Sequence, residues 1–182
     1  MGSERWEIDR LGTQIRFAVR HLLFWKTRGR FSRVSGTVTV PDGDFSRATL
    51  DVVIDASSID TGVVRRDEHL RSADYLDVNR YPHITFTARR VVAEPDARLR
   101  VVGALTIRSV TREVTLAVEP TGSTRDSWGL ERARFSAVTA IDRRDFGFEG
   151  NLALDSGGVV IGERIDVEIE LEAVKQPAVR AA

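Results

Sequence analysis

The clearest structural signal in this chain is the stretch RIDVEIELEA, residues 164–173. Apolar residues occupy every second position, and acidic residues fill most of the positions between them. Successive side chains of a β-strand point to opposite faces of the sheet, so this alternation predicts a strand with one face in a core and the other in water. The stretch therefore indicates a half-buried β-sheet.

The same alternation recurs along most of the chain. It is found in residues 13–22, 31–40, 48–55, 83–90, 98–108, 112–119 and 132–141. Short turns join most of these segments, which is typical of antiparallel strands because parallel strands need long crossovers. A sheet of this size removes its unpaired edges by closing on itself. We therefore predict an all-β fold, an eight-stranded antiparallel barrel, with an interior that is either filled by side chains or wide enough for one small ligand.

The length and composition favour one domain. The chain has 182 residues and 42% hydrophobic content, which is sufficient for a single core. We expect one domain over residues 1–182, with its core from about residue 6 to residue 174 and a flexible tail at residues 175–182.

The first segment that breaks the alternation is RRDEHLRSADYLDV, residues 65–78. We expect a short helix that begins at about Gly62, with Asp60 or Thr61 as its N-cap. Its apolar stripe consists of Leu70, Ala73 and Leu76, with Tyr75 beside them. A solvated charged face would explain the charges but not why a helix interrupts a tightly connected sheet. A helix with one apolar stripe and one charged face is typical of an element that lies on a core, so we predict a capping helix over one barrel end.

The second exception is the segment Phe146–Gly162, which contains five glycines and also several large apolar residues. Each large apolar side chain left in water forfeits about 1.5–3 kcal/mol of burial. The sequence therefore predicts a long glycine-rich loop that folds over a barrel end.

Composition excludes several classes of protein. Acidic and basic residues balance at 27 each, so we expect no nucleic-acid partner. The absence of cysteine excludes disulfides, thiolate nucleophiles and iron–sulfur ligation. The N-terminal residues MGSERWEIDR lack the apolar region of a signal peptide, and no run reaches the length of a membrane helix. We therefore expect a cytoplasmic protein; an exported form stays open if residues 1–3 replace a removed leader.

An acid–base site is one alternative for the charged segment, with Asp67, His69 and Asp74 as candidates. Asp67 and His69 are two residues apart, so on a helix their side chains point about 200° from each other. No GxSxG motif occurs in the chain. The sequence therefore assigns no catalytic residue.

A metal site would need the three histidines, His21, His69 and His83, to converge. None of them shows the i, i+4 spacing of a helical zinc site, so we expect no bound metal. His21 follows Phe17 and Val19 in the inward phase of its strand. It is therefore either a core histidine or a polar contact for a ligand.

Several motifs together resemble the YceI-like family, a lipocalin-like group associated with binding polyisoprenoids. The longest is RDEHLRSADYLDVNRYPHITF, residues 66–86. The others are WEIDRLGTQIRFAVRHL at 6–22, ASSIDTG at 56–62, GALTIRSVTREVTL at 103–116 and AIDRRDFGF at 140–148. The resemblance extends from Trp6 to about Ala173.

The resemblance implies a lipocalin-like barrel with an elongated apolar channel. Its ligand would be a long isoprenoid lipid of the polyprenyl phosphate or isoprenoid quinone type, with no other cofactor. By position, the channel would be lined by Phe17, Val19, His21, Phe86, Leu105 and Phe135. The cap and mouth would contribute Arg66, Asp67, His69, Leu70, Arg143 and Phe146 to ligand binding.

The function implied by the resemblance is to bind, shield or carry such a lipid. Transient membrane contact during lipid exchange and a homodimer stay open. Two alternatives also stay open: a hydrolase or isomerase acting on a small hydrophobic substrate, with His21, Asp67 or His69 as acid or base, and a ligand-free structural or regulatory module. Small inward residues such as Gly103 and Ala137 favour a hollow interior over a filled one.

Three positions depart from the family's usual pattern. Ser109 and Glu113 stand where the family usually has glycine and proline. Asp142 stands where asparagine is common, and it adds a charge beside the expected mouth.

Overall fold

The computed structural model describes residues 2–21, 25–149 and 161–178. Within these residues the strands are β1 (Ser3–Ile8), β2 (Gln14–His21), β3 (Trp25–Phe31), β4 (Val34–Pro41), β5 (Thr49–Asp55), β6 (Ile59–Asp60), β7 (His83–Ala93), β8 (Leu99–Ile107), β9 (Val110–Arg125), β10 (Glu131–Asp142) and β11 (Ile161–Lys175). The α-helix of this part of the chain is α1 (Val64–Arg71). Short 3-10 turns lie at Phe45–Arg47, Ala56–Ser58, Pro95–Ala97 and Arg143–Phe146.

The sheet closes into a barrel because β1 pairs with β4 on one side and with β11 on the other. Three long strands are each broken once, since β1 continues into β2, β3 into β4, and β5 into β6. The strand segments of the described chain therefore form eight antiparallel strands in one ring. The predicted eight-stranded antiparallel barrel is confirmed.

Some strand bounds differ from the sequence-based expectation. The prediction missed β1, because only Trp6 and Ile8 mark its inward face. The segment expected at residues 31–40 contains a junction, since β3 ends at Phe31 and β4 begins at Val34. At the C-terminus β11 continues to Lys175, one residue into the expected tail.

One end of the barrel, which we call the plug end, is filled by aromatic rings. Phe45, on a 3-10 turn, has its ring centroid 6.0 Å from that of Trp6 and 5.9 Å from that of Phe135. Both described chain ends lie here, because Trp6 of β1 pairs with Lys175 of β11. Lys175 also forms a 2.7 Å ion pair with Glu4. The plug end is therefore sealed by packing and by the joining of the two terminal strands.

A charge network, the Arg132 cluster, lies at the same end. Nη1 of Arg132 lies 2.6 Å from a carboxylate oxygen of Asp9 and 2.6 Å from one of Glu172, and its Nε lies 3.2 Å from Asp126. The hydrogen bond from Arg132 lowers the pKa of Asp9. A hydrogen bond from Arg134 is the main cause that lowers the pKa of Glu172. These carboxylates therefore stay ionised in the fold to lower pH than when exposed.

The opposite end carries the cap, by which we mean α1 and the turns that follow it, residues 64–78. The cap is inserted between β6 and β7, where the ladder between β5 and β7 ends at the pair Asp55 and His83. The N-cap residue is Val63, with no side-chain hydrogen bond, so the expected N-cap at Asp60 or Thr61 is wrong. Asp60 instead accepts a hydrogen bond from the backbone N–H of Gly62 at 2.9 Å.

The helix ends earlier than its apolar spacing suggested. Ser72 has extended backbone angles of φ −68° and ψ 170°, so helical periodicity stops there. As a result Ala73, expected in the apolar stripe, is exposed, and Tyr75 is the residue that turns inward, with 4% of its surface exposed. The predicted capping helix is present. After Arg71, however, the turns of the chain, and not helical spacing, determine which side chains point inward.

The predicted glycine-rich loop is described only in part. Phe146 is 2% exposed and packs in the core, and Gly147 has a left-handed φ of 81° that turns the chain. Residues 150–160 of the prediction lie outside the described residues. In the part of the chain that the structure covers, no helix has both the length and the apolar character needed to cross a membrane.

Candidate functional site: an apolar channel

The barrel encloses two apolar lobes that adjoin. The inner lobe, of about 180 Å³, lies toward the plug end, and the outer lobe, of about 210 Å³, lies under the cap. Both are lined by the same ring of side chains, which we call the neck: Ile15, Ile54, Leu105, Ile141 and Val167. The two lobes therefore meet at the neck and together form a candidate channel along the barrel.

The side chains that line the inner lobe expose only apolar atoms to it. Its lining includes Val52, Phe86, Val101, Leu116, Phe135 and Leu171. The lining also contains Thr13 and Thr139, but their hydroxyl groups bond to backbone: Thr13 to Glu172, and Thr139 to the carbonyl of Thr115 at 2.9 Å. An apolar cavity of this kind stays dry in the absence of an apolar guest. The inner lobe therefore suits a hydrocarbon and offers nothing to a polar group.

The charges of the cap fasten it to the chain beneath. The guanidinium of Arg66 donates to the hydroxyl and the carbonyl of Thr61 at 2.7 and 2.9 Å. The buried carboxylate of Asp67 accepts from the N–H and the hydroxyl of Thr61 at 2.9 and 2.5 Å. Arg71 donates to two backbone carbonyls within residues 57–59, at 2.8 and 2.6 Å. The opposite charges of this segment thus anchor the cap over the outer lobe.

Tyr75 is the most unusual residue of the outer lobe. Its side chain lines the lobe, yet its hydroxyl is buried and has no hydrogen-bond partner among the described residues. Burial raises the pKa of the phenol to about 12. An unsatisfied buried hydroxyl costs about 1–3 kcal/mol of folding stability. The ring is held edge-on by His69, with centroids 5.0 Å apart, and stacks on Phe148 at 6.5 Å.

Arg143 is a second polar residue in the outer wall, with 7% of its surface exposed. Its Nε donates to the carbonyl of Gly162 at 3.2 Å, and its Nη1 donates to the carbonyl of Phe148. Arg143 therefore joins the two chain segments that flank residues 150–160.

Asp142, which departs from the family pattern, accepts a hydrogen bond from its neighbour Arg144. This hydrogen bond lowers the pKa of Asp142 to about 2.

The structure distributes the predicted channel residues over both lobes. Phe17 and Val19 line the outer lobe, Phe86 and Phe135 the inner lobe, and Leu105 the neck. His21 is the last residue of β2 and pairs with Trp25 and Ile161, but its side chain lies outside the described part of the structure.

The predicted cap and mouth residues fall into two groups. Leu70 and Arg143 line the outer lobe. Arg66, Asp67, His69 and Phe146 are absent from the lining of either lobe. Arg66 and Asp67 bond to Thr61, His69 packs against Tyr75, and Phe146 belongs to the core. The charged part of the motif thus supports the channel wall without forming it.

Several lining residues were not among the predicted site residues. The inner lobe also has Trp6, Val38, Phe45 and Ala48, and the outer lobe also has Phe31, Ile59, Tyr75, Leu76, Ile107 and Phe148. The inward phase of each strand identifies Ile107, and the helical stripe identifies Leu76. Phe45 lies on a turn and could not be placed from alternation.

Two of the three acid–base candidates, His69 and Asp74, lie together, and the third, Asp67, is bonded elsewhere. Nε2 of His69 lies 3.4 Å from a carboxylate oxygen of the exposed Asp74, whereas Asp67 is bonded to Thr61. No group of three or more His, Cys, Asp or Glu side chains placed to hold a metal occurs among residues 2–21, 25–149 and 161–178. The feature that the described side chains do form here is the pair of apolar lobes.

Comparison with known proteins agrees with this architecture. The model of the YceI-like domain matches residues 6–173. The chain belongs to the YceI-like family. It is 35% identical to the YceI protein of Salmonella newport over 176 residues, which is 96% of this chain and 88% of the relative.

Solved structures of other YceI-like proteins share the barrel. The YceI protein of Campylobacter jejuni is 28% identical, with a TM-score of 0.70 over 87% of this chain and 90% of that one. A polyisoprenoid-binding domain from Saccharophagus degradans, implicated in plant cell wall breakdown, has a TM-score of 0.70 over 94% of this chain and 98% of that one. Because that domain is 19% identical, the likeness shows a common fold with this YceI-like protein.

Proposed function

We propose that this protein binds a long isoprenoid lipid inside the barrel and thereby shields or carries it. The observation that carries the proposal is the pair of apolar lobes that meet at the neck, the inner of which presents only apolar atoms. Membership of a family that has a polyisoprenoid-binding domain among its structural relatives supports the same ligand class. An isoprenoid tail is a linear series of methyl-branched apolar units, which suits a narrow channel better than a compact cavity.

Burial of the tail is sufficient to explain binding. One five-carbon unit removed from water gains about 4 kcal/mol, at about 0.8 kcal/mol per carbon. Loss of free motion and ordering of the chain cost about 4–15 kcal/mol. Three or four buried units gain about 12–16 kcal/mol, which exceeds most of this range of costs without a strong polar contact. In this arrangement the tail of the lipid fills the inner lobe. Its polar end lies in the outer lobe under the cap, because Thr61, Tyr75 and Arg143 are in the lining of that lobe.

Native mass spectrometry and lipid extraction of the purified protein test this proposal. We expect an isoprenoid lipid to co-purify, or to bind the delipidated protein with one molecule per chain. Phe135→Trp should reduce that occupancy, because Phe135 lines the inner lobe. Val138→Trp is the matched control, since Val138 lies on the same strand and is 54% exposed.

Two outcomes would count against the proposal. A protein that neither retains nor takes up any isoprenoid would favour a ligand-free module. Chemical conversion of the added lipid during incubation would favour an enzyme.

A further inference from the structure

The hydroxyl of Tyr75 is a hydrogen-bond donor that has no acceptor among the described residues. The residue is 4% exposed, lines the outer lobe, and has no hydrogen-bond partner among the described residues for its hydroxyl oxygen. Buried polar groups in folded proteins nearly always have a partner, so each exception requires an explanation. Water is a poor candidate for this partner, because the surrounding lobe is apolar and a buried water needs two to four polar contacts.

Packing does not explain the hydroxyl. The contacts of Tyr75 with His69 and Phe148 are made by its ring, at centroid distances of 5.0 and 6.5 Å. A phenylalanine would make the same ring contacts without burying a polar atom. The ring contacts therefore explain the ring of Tyr75 but not its hydroxyl oxygen, which needs a separate explanation.

The neighbouring polar side chains of the outer lobe have bonds within the protein. The hydroxyl of Thr61 donates to Asp67 and accepts from Arg66. The guanidinium of Arg143 donates to the carbonyls of Gly162 and Phe148. Among Thr61, Tyr75 and Arg143, Tyr75 is therefore the lining residue whose buried polar atom has no hydrogen bond to another described residue.

We propose that Tyr75 donates a hydrogen bond to a neutral carbonyl oxygen at the polar end of the isoprenoid ligand. This inference rests on the proposed function and specifies the head group. One phenolic hydroxyl satisfies one carbonyl. A phosphate carries charge and several acceptor oxygens, and burying it under an apolar cap requires several paired donors. A prenylated quinone offers this donor a neutral carbonyl, buries no charge with the second carbonyl, and has a flat ring that can stack next to Phe148.

The test compares three ligands on the delipidated protein: a benzoquinone with an isoprenoid side chain, an isoprenyl phosphate with the same side chain, and squalene, which has no head group. We expect the wild type to bind the quinone more tightly than the phosphate. Tyr75→Phe should weaken quinone binding about tenfold, the effect of one hydrogen bond, and leave squalene binding unchanged. Tyr81→Phe is the matched control, because Tyr81 is the other tyrosine of the chain and lies outside both lobes.

Two further measurements separate this role from a structural one. The apo form of Tyr75→Phe should unfold at the same temperature as the wild type or higher, because the substitution removes an unsatisfied polar atom. The infrared carbonyl band of bound quinone should move to higher frequency in Tyr75→Phe, since the hydrogen bond is lost.

The inference is overturned if Tyr75→Phe weakens squalene and quinone equally, if it lowers the apo unfolding temperature, or if the phosphate binds more tightly than the quinone. Those outcomes leave isoprenoid binding intact. If none of the three ligands binds the wild type, the proposed function itself fails.

Discussion

Blocking the neck should divide the channel and make binding insensitive to tail length. Leu105 is the residue to change, because it lines both lobes and its strand, β8, is paired on both sides. In Leu105→Trp the larger ring occupies the neck, so a ligand that enters under the cap reaches the outer lobe but not the inner one. Short isoprenoids should then bind nearly as well as in the wild type, and long ones should lose their advantage.

The size of that loss follows from the volume of the inner lobe. Filling an empty apolar cavity recovers about 24 cal/mol per Å³. For the inner lobe of about 180 Å³ this gives about 4 kcal/mol, which equals the estimate for one buried isoprene unit. A difference of this size corresponds to a change of about a thousandfold in Kd.

The assay is a titration of delipidated protein with farnesol, geranylgeraniol and solanesol, followed by native mass spectrometry or calorimetry. The wild-type affinity should increase along the series, whereas that of Leu105→Trp should level off after the shortest member that fills the outer lobe. Ala104→Trp is the control, because the neighbouring Ala104 is exposed and places the same ring on the outside of β8. Equal dependence on tail length in wild type and Leu105→Trp would refute the idea of one continuous channel.

Two other changes test the cap and the plug end. Asp67→Ala should destabilise the cap by about 2 kcal/mol, since it removes two hydrogen bonds to a buried carboxylate, and should speed amide exchange of α1 about thirtyfold relative to β8. The hydrogen bond from Arg132 lowers the pKa of Asp9 in the folded protein. The stability that this ion pair provides is therefore fully present above the pKa of Asp9 in the unfolded chain. It is lost as the pH falls through the lower pKa of Asp9 in the folded protein. Arg132→Met should therefore lower the thermal unfolding midpoint at neutral pH, with a deficit that shrinks below about pH 4.

Each of these two predictions has its own control. Glu68→Ala changes the exposed acid next to Asp67 and should leave exchange of α1 unaltered. For the plug end, the thermal unfolding midpoints of the wild type and of Arg132→Met are measured from acid to neutral pH. A deficit of Arg132→Met that is independent of pH would show that packing, and not its ion pairs, is what Arg132 contributes.

The strands and much of the channel could be predicted because alternation is a local property of the sequence. The stretch at residues 164–173 fixes which side chains of β11 face inward, and Val167, Ile169 and Leu171 do line the channel. The same argument places Phe17 on β2 and Leu105 on β8. The two-residue alternation of apolar and polar side chains matches the folded barrel, because each strand has one face toward the interior and one toward the solvent.

What could not be predicted depends on contacts between elements. Gly103 was expected to leave room in the interior, but a Cβ there would lie 2.6 Å from Cζ of Phe86, so the ring from the neighbouring strand occupies that space. Tyr75 turns inward because the helix stops at Arg71, which apolar spacing alone does not show. The charges of residues 65–78 suggest ligand contacts, yet most of their hydrogen bonds are made to residues 57–61.

The pairing of β1 with β11 brings both ends of the described chain, residues 2 and 178, to the side of the barrel farthest from the cap. A tether or reporter attached beyond either of these ends would consequently hold the molecule with its cap pointing away from the support. Immobilised in this orientation, the protein would present the outer lobe and its cap to the solution without obstruction by its own attachment.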